Sequence, residues 1–263
     1  MPERQTSKRR RELAELLIAQ GSVQTGQLAS QFGVSRETIR KDLVYLEKQG
    51  IGKKERGGSM IPLSPKEISL EIRSSENIRA KQDIALAADK LIKEHMVVLL
   101  DSGSTTYEIA RLLSQRRGLT IITNSATIPP VLSRSPNTVL SLGGEMRGSS
   151  MAYVGMLTLN ALQALGSDIA FVATDGFYHR NGPCTSVYLE AEIKKAMVQN
   201  ARETVLVCDS SKFQRDSVVQ FCDWSQIDYL ITDSQAPKEE LLELEQKTKI
   251  ILASTQTKER ARR

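Results

Sequence analysis

From residue 78 onward, seven short apolar runs alternate with stretches of helical spacing, and this alternation restricts the fold more than any other feature of the 263-residue chain. The runs cover 97–101, 120–123, 138–142, 169–174, 204–208, 229–232 and 249–252. Each is close to continuous in apolar residues, as a strand covered on both faces must be. Helices are predicted over 79–94 and 106–115. Strands and helices in strict turn imply an α/β architecture, a mostly parallel, doubly wound sheet spanning 78–254. Residues 59–77 contain Pro62, Pro65 and scattered Ser and Glu without sustained periodicity, and read as a linker.

The first quarter of the chain has a different character. Residues 1–62 hold twelve Lys and Arg against seven Asp and Glu, so the whole net charge of +5 sits there; the remainder carries 24 of each sign. Such a partition fits a nucleic-acid-binding module joined to a neutral body. A helix over 8–19 places Leu13, Leu16 and Leu17 on one face, and Gly21 ends it. Thr25 is the expected N-cap of a short second helix with Leu28 and Phe32 facing inward, and Gly33 supplies a turn. Ser35 is the expected cap of a third helix, with Ile39, Leu43 and Leu46 inside and Arg36, Glu37, Thr38, Arg40, Lys41 and Val44 outside.

A short buried helix, a glycine turn and a capped helix with a polar outer face make a helix-turn-helix. Arg36, Thr38 and Arg40 are the candidates for base or phosphate contact, with Ser35 nearer the DNA backbone; Thr25 and Lys41 are further DNA-binding candidates. Residues 51–58 read as a β-hairpin wing that lays Lys53, Lys54 and Arg56 along phosphates. The predicted reader is thus a winged helix-turn-helix over 1–58, and its partner is double-stranded DNA.

Parallel sheets bind ligands beyond the carboxyl ends of their strands. Asp101, Ser102, Gly103, Ser104, Thr105 and Thr106 occupy such a position, between a strand end and a helix start where hydroxyls and amides can cradle phosphate. Asn124 and Ser125, Asp175 and Gly176, and Lys212 follow other strands at the same edge. Lys212 is placed to neutralise a phosphate held by the Ser/Thr loop. Strand-to-helix capping by the same hydroxyls is the competing account of that loop. Asp175 equally suits a turn before Gly176, and Glu190 and Glu192 suit the start of a helix, where acids favour the dipole.

No apolar run approaches the roughly 20 residues of a membrane span, and the N-terminus lacks the apolar core of a secretory signal, so a cytoplasmic location is expected. Cys184, Cys208 and Cys222 form no metal-type pair, and His95 and His179 stand far apart, so neither a metal nor a cofactor is expected.

The strings Lys8-Arg-Arg-Arg-Glu-Leu13, 33–43, 46–50, Gly57-Gly58, 101–106, 123–125, Gly143-Gly144, Asp175-Gly176 and 209–213 together resemble the DeoR family of regulators, in the family's order and over almost the whole chain. The basic tail 255–263 falls outside the likeness and is expected to be disordered. The resemblance implies a repressor of a carbohydrate-catabolic operon that a phosphorylated sugar releases from DNA. It also implies a second domain resembling sugar-phosphate isomerases, which supports phosphate at 102–106 and Lys212. One departure lies in the wing, where Arg56 stands in place of the family's usual histidine.

Two other functions compete. A sugar-phosphate isomerase with an accessory basic domain would draw its acid and base from Asp175, His179 and Glu190. A DNA-bound scaffold would show no ligand response. A single reading head spans few base pairs, so a homodimer or homotetramer on half-sites about 34–36 Å apart is expected.

Overall fold

The computed structural model describes Thr6, Arg9, Arg10, Glu12, Leu13, Leu16 and Leu17 and residues 22–48, 53–55, 58–60 and 70–253, with only the backbone at 22, 47–48, 53–55 and 58–60. The chain divides into two compact units, Met1–Glu67 and Ile68–Arg263.

The first unit contains β1 (Ser22–Gln24), α1 (Thr25–Phe32), α2 (Arg36–Lys48), β2 (Lys53–Glu55) and β3 (Gly58–Met60). The three strands form an antiparallel sheet in the order β1-β3-β2, and Glu55 pairs with Gly58 across the wing hairpin. Leu13 and Leu17 from the N-terminal helical positions pack with Val23, Leu28, Ile39, Leu43 and Leu46. Gly33 closes α1 at φ 62°, and its N–H reaches the Ala29 and Ser30 carbonyls. A side chain would be strained in that left-handed conformation. Arg56 and the tail 255–263 lie outside the described residues.

Two expectations need correction here. Thr25 is the first residue of α1 rather than its cap, and its side chain is buried, so it leaves the set of surface candidates. The residue before it, Gln24, ends β1, a strand the sequence did not announce. The expected linker is also too long: β3 extends the reader to Met60, and Leu70 already belongs to the second unit.

The second unit begins with α3 (Leu70–Ser75), where Leu70 is buried and donates its N–H to the Ser149 carbonyl at 2.8 Å. There follow α4 (Ile78–Asp89), β4 (Val97–Leu100), α5 (Ser104–Leu113), β5 (Thr120–Thr123), α6 (Ile128–Leu132), β6 (Thr138–Ser141) and a hairpin of β7 (Glu145–Arg147) with β8 (Ala152–Val154). The chain continues through α7 (Met156–Gln163), β9 (Ser167–Ala173), β10 (Cys184–Thr185), α8 (Tyr188–Gln199), β11 (Ala201–Val207), β12 (Val219–Gln220), β13 (Tyr229–Asp233), α9 (Lys238–Leu244) and β14 (Lys249–Ala253).

The seven expected strands form one parallel sheet, in the order β14-β13-β11-β9-β4-β5-β6. Alternate residues face opposite sides. Val98, Leu100, Ile169, Phe171, Val205 and Val207 meet α4, α5 and α6; Leu99, Ala170, Val172 and Leu206 meet α7, α8 and α9. The sheet is therefore doubly wound. β4 and β9 are parallel neighbours from which successive strands are added in opposite directions, β5 and β6 to one side and β11, β13 and β14 to the other. The carboxyl ends at such a switch point are where sheets of this kind take ligands. Cys208 is buried and unpaired, and burial pushes its thiol up, as a reduced core residue requires.

Candidate nucleic-acid interface and ligand site

Ser35 caps α2: its Oγ accepts the Thr38 N–H at 3.1 Å and lies 2.9 Å from the Thr38 hydroxyl. This fixes the start of the helix and leaves Arg36, Glu37, Arg40 and Lys41 exposed. The Arg36 guanidinium lies beside Gly26 of α1, where an added side chain would come within 3.5 Å of it. Arg40 and Glu37 form a loose, exposed ion pair at 3.7 Å. Lys53 and Lys54 stand on β2.

One residue on α2 points the other way. Asp42 is 2% exposed and receives the Arg9 Nε at 2.7 Å and the Arg10 Nε at 2.8 Å. Arg10 also stacks 3.9 Å above the Tyr45 ring. This clamp fastens the N-terminal helical positions to α2, so two arginines that look like basic surface in the sequence have a buried partner. Asp42→Asn is expected to destabilise the first unit by about 1.5–3 kcal/mol, the worth of hydrogen bonds to a charged group. Urea unfolding of the full chain should show the loss in the reader's transition; an unchanged midpoint would rule the clamp out as a stabilising device.

At the strand ends of the second unit the candidates separate into two groups. Several are consumed by the fold. Asp101 is 1% exposed; one oxygen accepts the Lys194 ammonium and the Ala173 N–H (3.0 Å), the other the Ser102 N–H (2.7 Å). Thr106 donates to the Asp101 and Gly103 carbonyls at 2.6 and 3.0 Å. Ser125 caps its own turn, accepting the Thr127 N–H at 3.2 Å. The missing side chains of Gly103 and Gly176 make room for the Ala173 methyl and the Arg215 carbonyl, not for a ligand. Asn124 donates to the Tyr153 carbonyl, while its Oδ1 is buried without a partner.

The second group stays available. The hydroxyls of Ser104 and Thr105 make no hydrogen bond among the described residues, and no side chain caps α5, whose first turn they form. Lys212 sits in a 3-10 turn, half-buried, with no ion pair among the described residues. Burial and the neighbouring Arg215 guanidinium lower its proton affinity, against the pull of Asp209 and Asp175.

Asp175 does not stand free. One oxygen accepts the Ser186 N–H and hydroxyl, both at 2.9 Å, and the Thr185 hydroxyl at 3.1 Å. The other faces the Arg73 guanidinium at 3.7 Å. Burial works against its ionisation, but Arg73, Lys194 and the Ser186 bonds outweigh it and hold the carboxyl below the usual range. Glu190 is buried and bound by the Arg147 Nε at 3.1 Å. Asp209 accepts Asn77 Nδ2 at 2.9 Å and lies 3.8 Å from the Lys81 ammonium. Arg73, Lys81, Arg147 and Lys194 escaped the sequence reading. Lysines and arginines on short elements, such as Arg73 on α3 and Arg147 on β7, or on amphipathic helices, as Lys81 and Lys194, look like solvated surface until the fold turns them inward.

Residues 9–64 match the DeoR-like helix-turn-helix domain and residues 76–234 the DeoR C terminal sensor domain. An Escherichia coli O157:H7 protein, provisionally named for transcriptional repression of the aga operon, is 36% identical over 90% of this chain and 89% of its own. The glycerol-3-phosphate regulon repressor of Escherichia coli K12 is 28% identical over 88% and 92%. A solved ribose 5-phosphate isomerase from Methanocaldococcus jannaschii shares 22% identity over 52% of this chain and 55% of that one, with a TM-score of 0.37. A DNA-reading unit followed by a sensor unit is the organisation of a ligand-responsive transcription regulator. The chain belongs to the DeoR family of such regulators.

Proposed function

We propose that this protein represses a carbohydrate-catabolic operon and that a phosphorylated sugar, bound at the strand ends of the sensor, controls its affinity for DNA. The observation that carries the ligand assignment is Lys212: a half-buried ammonium with no ion pair among the described residues, in the field of Arg215 and Arg73 as well as of Asp209 and Asp175, in the turn that follows β11. α5, with no side-chain cap, starts after the carboxyl end of β4 in the same sheet. An anion satisfies both the cation excess and the free amides of the helix start. Ser102, Ser104 and Thr105 supply the hydroxyls; Asn124, with its buried unpaired Oδ1, is suited to a sugar hydroxyl.

The enzyme reading is the weaker one. Asp175 has one oxygen saturated by three donors and Glu190 is tied to Arg147, so neither carboxylate is poised to move a proton. Among the described residues no helix is long and apolar enough to cross a membrane. Reading by a symmetric homodimer or homotetramer would give the specificity that one head lacks.

Gel-shift titration of a duplex selected by the protein from a random library, against a panel of sugar phosphates and their unphosphorylated sugars, tests the assignment. A response to phosphorylated compounds alone is expected; indifference to all of them would sink it. For the reader, Arg36→Ala or Arg40→Ala should weaken binding to the selected duplex by about 1–3 kcal/mol and relax discrimination at one base pair. If both variants bind as before, α2 does not lie in the major groove as supposed.

A further inference from the structure

The most unusual polar group at the sensor site belongs to neither matched domain. Arg73 falls between residue 64, where the helix-turn-helix match ends, and residue 76, where the sensor match begins. It sits on α3, the first element of the sensor after β3 of the reader, with residues 61–69 between them.

Its guanidinium is poorly satisfied. The Nη1 stands 3.7 Å from Asp175 Oδ1, beyond hydrogen-bonding distance, and the Nε is buried with no acceptor. The other Asp175 oxygen already holds three donors. The Arg73 charge is among the causes that lower the proton affinity of Lys212. A guanidinium offers two parallel donors to a phosphate or carboxylate, so this one has unused hydrogen-bonding capacity beside Asp175.

The helix bearing it is held by site charges. The Lys81 ammonium donates to the Arg73 carbonyl at 2.9 Å and to the Glu76 carbonyl, and lies beside Asp209. Asp209 in turn accepts Asn77 and the Ser211 N–H, one residue before Lys212. Thus Asp209 joins the turn that carries Lys212 to Asn77 and Lys81 at the start of α4, and Lys81 in turn holds the Arg73 carbonyl on α3.

We propose that Arg73 is a ligand-contacting residue: the bound anion supplies the acceptors its guanidinium lacks, and its movement away from Asp175 shifts α3, the attachment point of the reader. The ligand-induced change in DNA affinity then requires Arg73, whereas retention of the anion rests mainly on Lys212 and α5. This inference rests on the anion reading of the site and adds the route out of it. The coupling arises because the two positions of α3 bind the ligand with different affinity.

The test uses the full chain with inorganic phosphate and ribose 5-phosphate as probes. Calorimetric binding and affinity for the selected duplex are measured in wild type, Arg73→Gln, Arg73→Lys and Lys212→Ala. In Arg73→Gln, anion affinity should fall about tenfold, the worth of one charge-assisted contact, and duplex affinity should no longer respond even at saturating ligand. Arg73→Lys should recover part of the response. Wild type should show slower amide exchange over 70–76 when liganded. If Arg73→Gln saturates and still responds in full, the proposal is wrong while the anion site stands. If wild type binds neither probe, the anion reading itself falls with it.

Discussion

Lys194→Ala is expected to lower the sensor's thermal midpoint by about 6–20 °C. The Lys194 ammonium and the Asp101 carboxylate are both buried, with side-chain exposures of 6% and 1%, and they bond directly. Lys194 also donates to the Ala173 carbonyl at 3.0 Å. Removing the cation leaves a carboxylate with two amide donors but no countercharge in the interior. Breaking a buried pair from one side costs about 3–5 kcal/mol, and each kcal/mol moves the midpoint of a domain this size by about 2–4 °C. Calorimetry of the full chain would measure it. The double variant Lys194→Met, Asp101→Asn should regain much of the loss, because no charge is then stranded. A single-variant drop below about 3 °C would show that water reaches Asp101.

Lys212→Ala should weaken phosphate binding about 10–100-fold, the range for a charge-assisted bond at a partly buried site. Its pH signature distinguishes it from a general structural effect. Burial and Arg215 already lower the lysine's proton affinity in the empty site. Phosphate binds the charged form, so affinity should fall as pH rises through that lowered value, earlier than an ordinary lysine would dictate. In Lys212→Ala that alkaline decline should vanish, and in Lys212→Arg it should move beyond the lysine range. An alkaline decline that persists unchanged in Lys212→Ala would assign the titration to another group.

What the sequence disclosed follows the length scale of each signal. The seven strands were visible because a parallel strand covered on both faces must be apolar throughout, and runs such as Thr204 to Cys208 contain little else. The turn at Gly33 and the cap at Ser35 were legible for the same reason: each is a local event with a residue suited to it. By contrast α3 has six residues, too few for helical spacing to declare itself, and so passed for linker. The hairpin of β7 and β8 is equally short.

Among the site residues, the hydroxyls have the most local uses. Thr106 and Ser125 are Ser/Thr at strand-to-helix junctions, and local backbone took both: Thr106 donates to the Asp101 and Gly103 carbonyls, and Ser125 accepts the Thr127 N–H. Asp101 was rightly placed at the strand end, but its partner lies 93 positions away on α8, and no pattern along the chain joins the two. Glu190 and Lys194 stand four apart on one helix, the spacing of a surface pair, yet each is buried against a different partner. Only the fold decides which of two such charges faces water.

The clamp on Asp42 changes how the charge of the reader should be counted. A cation bound to DNA contributes to affinity largely by displacing the small ions condensed along the phosphates, and the salt dependence of binding counts the displacements. Arg9 and Arg10 are already answered by a carboxylate inside the protein. They therefore release fewer such ions than their number in the sequence suggests. On the proposed reading, in which Arg36, Arg40, Lys41 and the wing lysines meet the phosphates, the salt dependence of binding should be shallower than a tally of basic residues implies.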